Sequence, residues 1–193
     1  MPEGTIPDLP PLEGDSIRLR PWAHADTPAV VEAGGDEFIP VITSVPADAD
    51  EAAAHDFVDR QIGRPETDWG HARAIADRTT DRAIGHLYAS LIHHRLGRVE
   101  MGYWVLPSHR GRGIAGEALS LASEWALTNW PINRVTLYIE PWNVGSIRTA
   151  ERAGFQAEGT LHDWEAYDDG VARDMRVFAR LARDVPPADR ETS

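Results

Sequence analysis

Arg110-Gly-Arg-Gly113, running on to Ile114 and Ala115, is the stretch whose residue types and spacing suit anion chemistry. The apolar, aromatic run Gly102-Tyr-Trp-Val-Leu106 before it has strand character, and Pro107, with no N–H to give a ladder, ends that run. Beyond the turn, Ile114, Ala118, Leu121, Ala122 and Trp125 recur at helical spacing. The pattern predicts a strand, a glycine-rich turn and a helix. Amides left unpaired at a helix N-terminus, with the macrodipole behind them, favour an anion, and glycines let a phosphate reach the backbone. Arg110 and Arg112 can add charge-assisted hydrogen bonds to the same phosphates. No Gly-Lys-Ser/Thr follows, so this is not a nucleotide P-loop. Gly111, Gly113 and Gly116 spell the dinucleotide-binding fingerprint by letter, but no acidic residue stands near position 136 to hold a ribose. A tight turn carrying surface arginines is the plain structural reading of the same residues.

Asn143 and Ser146 read first as a helix start: Asn as N-cap and Ser three residues on both satisfy orphan backbone donors. Glu100 is a carboxylate in an otherwise apolar strand. Partial burial would raise its pKa toward that of a useful base; an edge position or an ion pair with one of the arginines is the bland alternative. Glu140, just past a strand end, is a second candidate, and a water chain with no single base is equally open. His93 and His94 are adjacent, hence on opposite strand faces, which is poor metal geometry, and no metal is expected. Trp69, Trp104, Trp142 and Trp164 read mostly as core.

Arg110-Gly-Arg-Gly113-Ile-Ala115 resembles the Gln/Arg-x-x-Gly-x-Gly/Ala pyrophosphate loop of the GNAT superfamily of acyl-CoA N-acyltransferases. Glu100-Met-Gly-Tyr-Trp-Val before it, Asn143-Val-Gly-Ser146 with Ala153-Gly-Phe155 after it, and Ile17-Arg-Leu-Arg-Pro21 near the start are similar to the branch that contains the RimJ/RimL ribosomal-protein acetyltransferases. Together these cover roughly residues 16–181. The resemblance implies acetyl-CoA as co-substrate, its pyrophosphate held by backbone amides of Arg110, Gly111, Arg112, Gly113, Ile114 and Ala115. It implies a splayed strand whose backbone at Tyr103, Trp104, Val105 and Leu106 pairs with the pantetheine arm and polarises the acyl oxygen. It gives Asn143 a contact to that arm and places Ser146 to protonate the leaving thiolate. In this family, loops between the first helices form the acceptor wall, which makes Phe38 a candidate substrate contact; Trp69 and Tyr167 are aromatic candidates to line the acceptor pocket with it. His162-Asp163 stands where related chains often carry an arginine.

These residues need elements to hold them. Residues 1–14, with four prolines and two glycines, form an extended arm or disordered tail; residues 15–182 form one domain; residues 183–193 form an acidic tail. Ile17–Arg20 is a short strand, and a helix from His24 ends at Gly34-Gly35. Phe38–Ile42 is an apolar loop with no obvious period, and Asp48–Ile62 is a second helix with acidic residues in its first turn. Strands follow over Trp69–Ala76, Ala83–Ile92 and Val99–Leu106, then the long helix stopped at Trp130-Pro131, a strand Arg134–Ile139, a helix from Asn143 to Gly154, and a hairpin of Gln156–Trp164 with Arg173–Leu181 turning at Asp168-Asp-Gly170. The order βααβββαβαββ describes an α/β (α+β) fold, implied by the resemblance to be a mixed, mostly antiparallel sheet of about seven strands with about four helices.

The formal charge of −12, from 19 basic and 31 acidic residues, argues against a nucleic-acid surface and favours a cationic acceptor or simply solubility. With 42% hydrophobic residues in 193, one core is expected. There is no apolar run long enough to cross a membrane, and the N-terminus lacks signal-peptide features, so a cytoplasmic chain without a membrane partner is the default expectation. No cysteine is present, which excludes a thiolate nucleophile and disulfides. The leading function is transfer of acetyl directly to a primary amine, on a protein N-terminus or a small molecule, in a ternary complex; a homodimer is left open. A non-catalytic acyl-CoA sensor, and transfer of succinyl or of an acyl group from a carrier-protein thioester, are the alternatives.

Overall fold

Strand alternation gives this chain a sheet with two buried faces. A computed structural model describes residues 6–64, 70–166 and 170–185. Along β5 (Arg98–Val105), Val99, Met101 and Val105 point to one core cluster, whereas Trp104 belongs to the other. The first cluster lies beneath α4 (Ile114–Asn129) and α5 (Val144–Arg152). Ile114, Ala118, Leu119, Ala122 and Ala126 of α4 line one stripe, and the alanines let the helix lie close to the strands. The second cluster lies beneath α1 (Thr27–Gly34) and α3 (Glu51–Ile62), where Val30, Ala33, Phe57 and Val58 meet Trp22, Ala72, Ala74 and Trp104.

The remaining strands are β1 (Leu12–Glu13), β2 (Ile17–Arg20), β3 (Gly70–Asp77), β4 (Ala83–Ser90), β6 (Arg134–Ile139), β7 (Gln156–Ala166) and β8 (Ala172–Leu181). Among the described residues the sheet runs β1-β2-β3-β4-β5-β6-β8-β7, and the β5–β6 pair alone is parallel. The expected mixed, mostly antiparallel sheet is present, with eight strands among the described residues where about seven are expected. The extra strand is the two-residue β1 inside the proline-bearing arm, pairing Leu12 with Leu19 and Glu13 with Arg18. Two residues behind Pro10-Pro11 are too few to show alternation. Ile6 and Leu9 of the arm are buried in the first cluster, and the guanidinium of Arg73 donates to Asp8 at 2.7 Å and to the Leu9 carbonyl.

Phe38–Ile42, expected as a loop, is instead crossed by a short helix, α2 (Ile39–Ile42). Asp36 Oδ1 accepts from the amides of Phe38 at 3.1 Å and Ile39 at 2.9 Å, and Pro40 fits a first helical turn. One turn carries too little sequence to show a period. α3 is capped by Asp50, which accepts from the Ala53 amide at 2.8 Å. No helix among the described residues is long and apolar enough to cross a membrane.

Candidate functional site

The parallel β5–β6 pairing stops early. Arg98, Val99 and Glu100 pair with Arg134, Val135 and Thr136, and nothing further along the two strands does. β5 stays in register with β4 as far as Val105, and β6 stays in register with β8 as far as Ile139. Each strand is held by its outer neighbour, so the two diverge beyond Glu100. The β6-facing edge of β5 from Met101 to Val105 is left without a ladder partner, and a cavity opens on either side of the gap. The larger, about 820 Å³, lies toward α4 and α5; the smaller, about 300 Å³, lies toward α3. Tyr103, Trp104, Asn143 and Ser146 line both, so the gap is where the two meet.

The larger cavity begins at the glycine turn. Gly111 and Gly113 have φ of +78° and +82°, a backbone region that costs a residue with Cβ about 1–2 kcal/mol. A Cβ built on Gly111, Gly113 or Gly116 would meet nothing within 4 Å, so the space over the turn is open. Gly113 is the N-cap of α4, leaving the first amides of that helix without intrahelical partners. Arg110 donates to the Val105 carbonyl at 3.2 Å and to Asp36 Oδ1 at 2.9 Å, tying the turn to the segment that starts α2. Burial works against the Asp36 carboxylate, but Arg110 and the amides of Ile39 and Phe38 together hold it below the usual range. Arg148 and Arg152 of α5 add two exposed cations to the lining.

At the junction, Asn143 Oδ1 accepts from the Ser146 amide at 3.1 Å and caps α5. The Tyr103 hydroxyl donates to the Ser146 carbonyl at 3.3 Å, and burial pushes that phenol up, keeping it protonated. The Ser146 side chain is therefore carried on backbone fixed from two sides.

The smaller cavity is built on strands. His86 is stacked on Trp104 with ring centroids 5.8 Å apart, and its Nδ1 accepts from the Trp22 indole N–H at 3.1 Å. An indole can only donate, so the His86 proton sits on Nε2. Burial, helped by the Arg64 charge, lowers its pKa to about 3, so it is a neutral imidazole that can donate but cannot act as base near neutral pH. Glu140 is 7% exposed; Oε2 accepts from the Trp142 indole and lies 3.7 Å from Arg173 Nε, while Oε1 is buried with no hydrogen-bond partner among the described residues. Glu165 lines the same cavity. Burial and the nearby Glu100 and Glu140 carboxylates push its pKa up.

Of the residues singled out in the sequence, Tyr103, Trp104, Val105, Arg110, Gly111, Gly113, Ile114, Ala115, Asn143 and Ser146 come together around the larger cavity. Leu106 does not; its side chain is in the second core cluster and its amide donates to the Ile84 carbonyl at 2.9 Å. Arg112 is exposed and lines neither cavity. Glu100 sits on the paired part of β5, 3.9 Å from His93, outside both cavity linings. Phe38 lines the larger cavity rather than the smaller, against Trp142 with centroids 5.4 Å apart. Trp69 and Tyr167 lie outside the described residues. His162 and Asp163 are exposed and bonded to Asp174 at 2.8 and 3.0 Å. Sequence reasoning missed His86, Tyr88, Met175 and Glu165, which line the smaller cavity from three different strands. His86 and Tyr88 share a face of β4 by alternation, but no local spacing relates them to Met175 or Glu165. His24, His55 and Asp59 also bring one potential ligand atom each within 4.8 Å, but all are exposed and none lines either cavity.

Comparison with known proteins is consistent across sequence and structure. The family described as Acetyltransferase (GNAT) domain matches residues 16–156. An uncharacterized N-acetyltransferase, p20, of Bacillus licheniformis is 26% identical over 90% of this chain and 97% of its own length. A ribosomal-protein-serine acetyltransferase of Escherichia coli is 29% identical over 58% of this chain and 62% of its own length. RimJ of Mycobacterium smegmatis, solved in complex with CoA-disulfide, superposes with a TM-score of 0.77 at 22% identity, covering 89% of this chain and 85% of that one.

Proposed function

This chain belongs to the GNAT acetyltransferase family, and from that premise we propose that it transfers acetyl from acetyl-CoA directly to a primary amine, on a small molecule or a protein N-terminus. The observation that carries this reading is the pair of cavities meeting at Tyr103, Asn143 and Ser146: a donor and an acceptor entering from opposite sides would react there. The open space over Gly111, Gly113 and Gly116, the free amides of the α4 N-terminus and the cations Arg110, Arg148 and Arg152 fit a pyrophosphate. The unpaired β5 edge fits an amide-bearing pantetheine arm as an added strand, and its free amides would polarise the acyl oxygen.

In this reading the neutral amine attacks the thioester carbon, the C–N bond forms and the C–S bond breaks. The sulfur leaves with the electron pair, and the Ser146 hydroxyl hydrogen-bonds it as it gains a proton. Glu100, outside both cavities, is not adopted as the base; the amine's proton leaves through solvent.

Thiol release with acetyl-CoA against amines and peptides, varying both substrates, is the test. Double-reciprocal lines should intersect, as a ternary complex requires. Parallel lines together with an acetylated protein seen by intact mass would overturn direct transfer. Coenzyme binding without turnover on any acceptor would leave a binding domain.

A further inference from the structure

The smaller cavity holds a feature that amine transfer alone does not use. Glu140 is more than nine-tenths buried, yet among the described residues its Oε1 has no hydrogen-bond partner, and the residue lines the cavity. A buried carboxylate oxygen left bare costs roughly 1–3 kcal/mol or more, so it is a place where a donor belongs. Arg173 Nε lies 3.7 Å from the other oxygen, which is already engaged by the Trp142 indole. A second carboxylate reaches the same cavity just past an irregularity. Between Leu161 and Glu165 the register of β7 slips against β8: Leu161 pairs with Met175 and Glu165 with Arg173, four residues against two. Asp163 takes φ of +49° there, and its amide is anchored on Asp174. Two extra residues preserve the parity of the pleat, so Glu165 keeps the face of Leu161, whose partner Met175 lines the cavity, and Glu165 lines it as well.

Resting on the acetyl-transfer reading above, we propose that Glu140 and Glu165 hold a non-reacting cationic nitrogen, so that the preferred acceptor is a compact amine with a second positive charge, such as an α,ω-diamine. The reacting nitrogen gives up its proton and becomes the amide; the other stays an ammonium against the two carboxylates. The size fits: about 300 Å³ is at the small end of ligand pockets. His86, neutral and protonated on Nε2, adds no charge to repel a cation. Arg64 is the cation on the α3 side; it stacks on Tyr88 at 4.3 Å and donates to Gln61 at 2.7 Å. The net charge of −12 also favours approach of a cation.

The experiment compares 1,4-diaminobutane with n-butylamine. Thiol release with acetyl-CoA should favour the diamine in kcat/KM by about tenfold or more, as one charge-assisted contact implies. Glu165→Gln, a volume-conserving change at the more accessible of the two carboxylates, should collapse that ratio toward one through KM for the diamine. Glu140→Gln should do the same wherever its melting curve shows a folded protein. Calorimetry of the diamine on the protein–CoA complex reads binding without chemistry, and its affinity should drop about tenfold or more in Glu165→Gln. Equal kcat/KM for the two amines, or a preference untouched by Glu165→Gln, overturns the cation site while transfer stands. Diamine binding that depends on Glu165, with no turnover on any acceptor, keeps the cation site and overturns transfer.

Discussion

At the scale of single residues, the site places Ser146 where one side chain can be separated from its backbone. Asn143 caps α5 through the Ser146 amide, and Tyr103 binds the Ser146 carbonyl; neither contact uses the hydroxyl. Removing the hydroxyl therefore leaves both contacts in place. Ser146→Ala is expected to keep coenzyme affinity and melting temperature near wild type while kcat falls by roughly ten- to a thousandfold, the range for one lost acid–base contact. Wild-type turnover in that variant would reduce Ser146 to a helix-start residue.

At the scale of elements, β5, the glycine turn and α4 act as one unit. Gly113 is both the α4 N-cap and a left-handed residue, with open space where a side chain would go. Gly113→Glu should fold at a cost of about 1–2 kcal/mol from the backbone alone, because no neighbour blocks the new side chain. Its carboxylate would lie at the positive end of the helix, where the pyrophosphate belongs. Coenzyme affinity measured by calorimetry should fall beyond detection on a protein that still melts cooperatively; unchanged affinity would remove the donor site from this turn.

Across the whole molecule, acid stability follows first from His86, buried in the sheet. His86 stays neutral in the fold down to about pH 3, whereas an unfolded imidazole takes up a proton near 6.5. Between these values the unfolded state binds the extra proton, so stability rises with pH and is lost as pH falls below about 6.5, by up to about 1.4 kcal/mol per pH unit. His71, depressed mainly by burial, pulls the same way, as do the lowered carboxylates of Asp36, Asp77 and Asp174 in more acid solution. The difference between wild type and His86→Asn isolates the one group. Denaturant midpoints from pH 7 to pH 4 should fall more steeply for wild type, and parallel curves would refute the buried neutral imidazole.

Sequence by itself determined the parts that are local. Period and punctuation located α3, α4, α5 and β5 to within a few residues, because burial of one face writes itself into residue spacing. Gly111 and Gly113 announced their turn because only glycine is relaxed at positive φ. Asn143 announced a cap because its bond spans three residues. Only the tertiary structure decided the rest. The gap between β5 and β6 depends on each strand keeping a different outer neighbour, a matter of pairing between segments far apart in the chain. Glu100 has the spacing of a catalytic carboxylate, but the paired part of β5 keeps it out of both cavities. Alternation from Leu161 gives Glu165 its face, but its pairing with Arg173 comes from a register slip that no local pattern foretells. Glu140 becomes notable only once burial leaves one of its oxygens bare. A side chain's direction along its own element is a short-range property; its surroundings are a property of the assembled sheet.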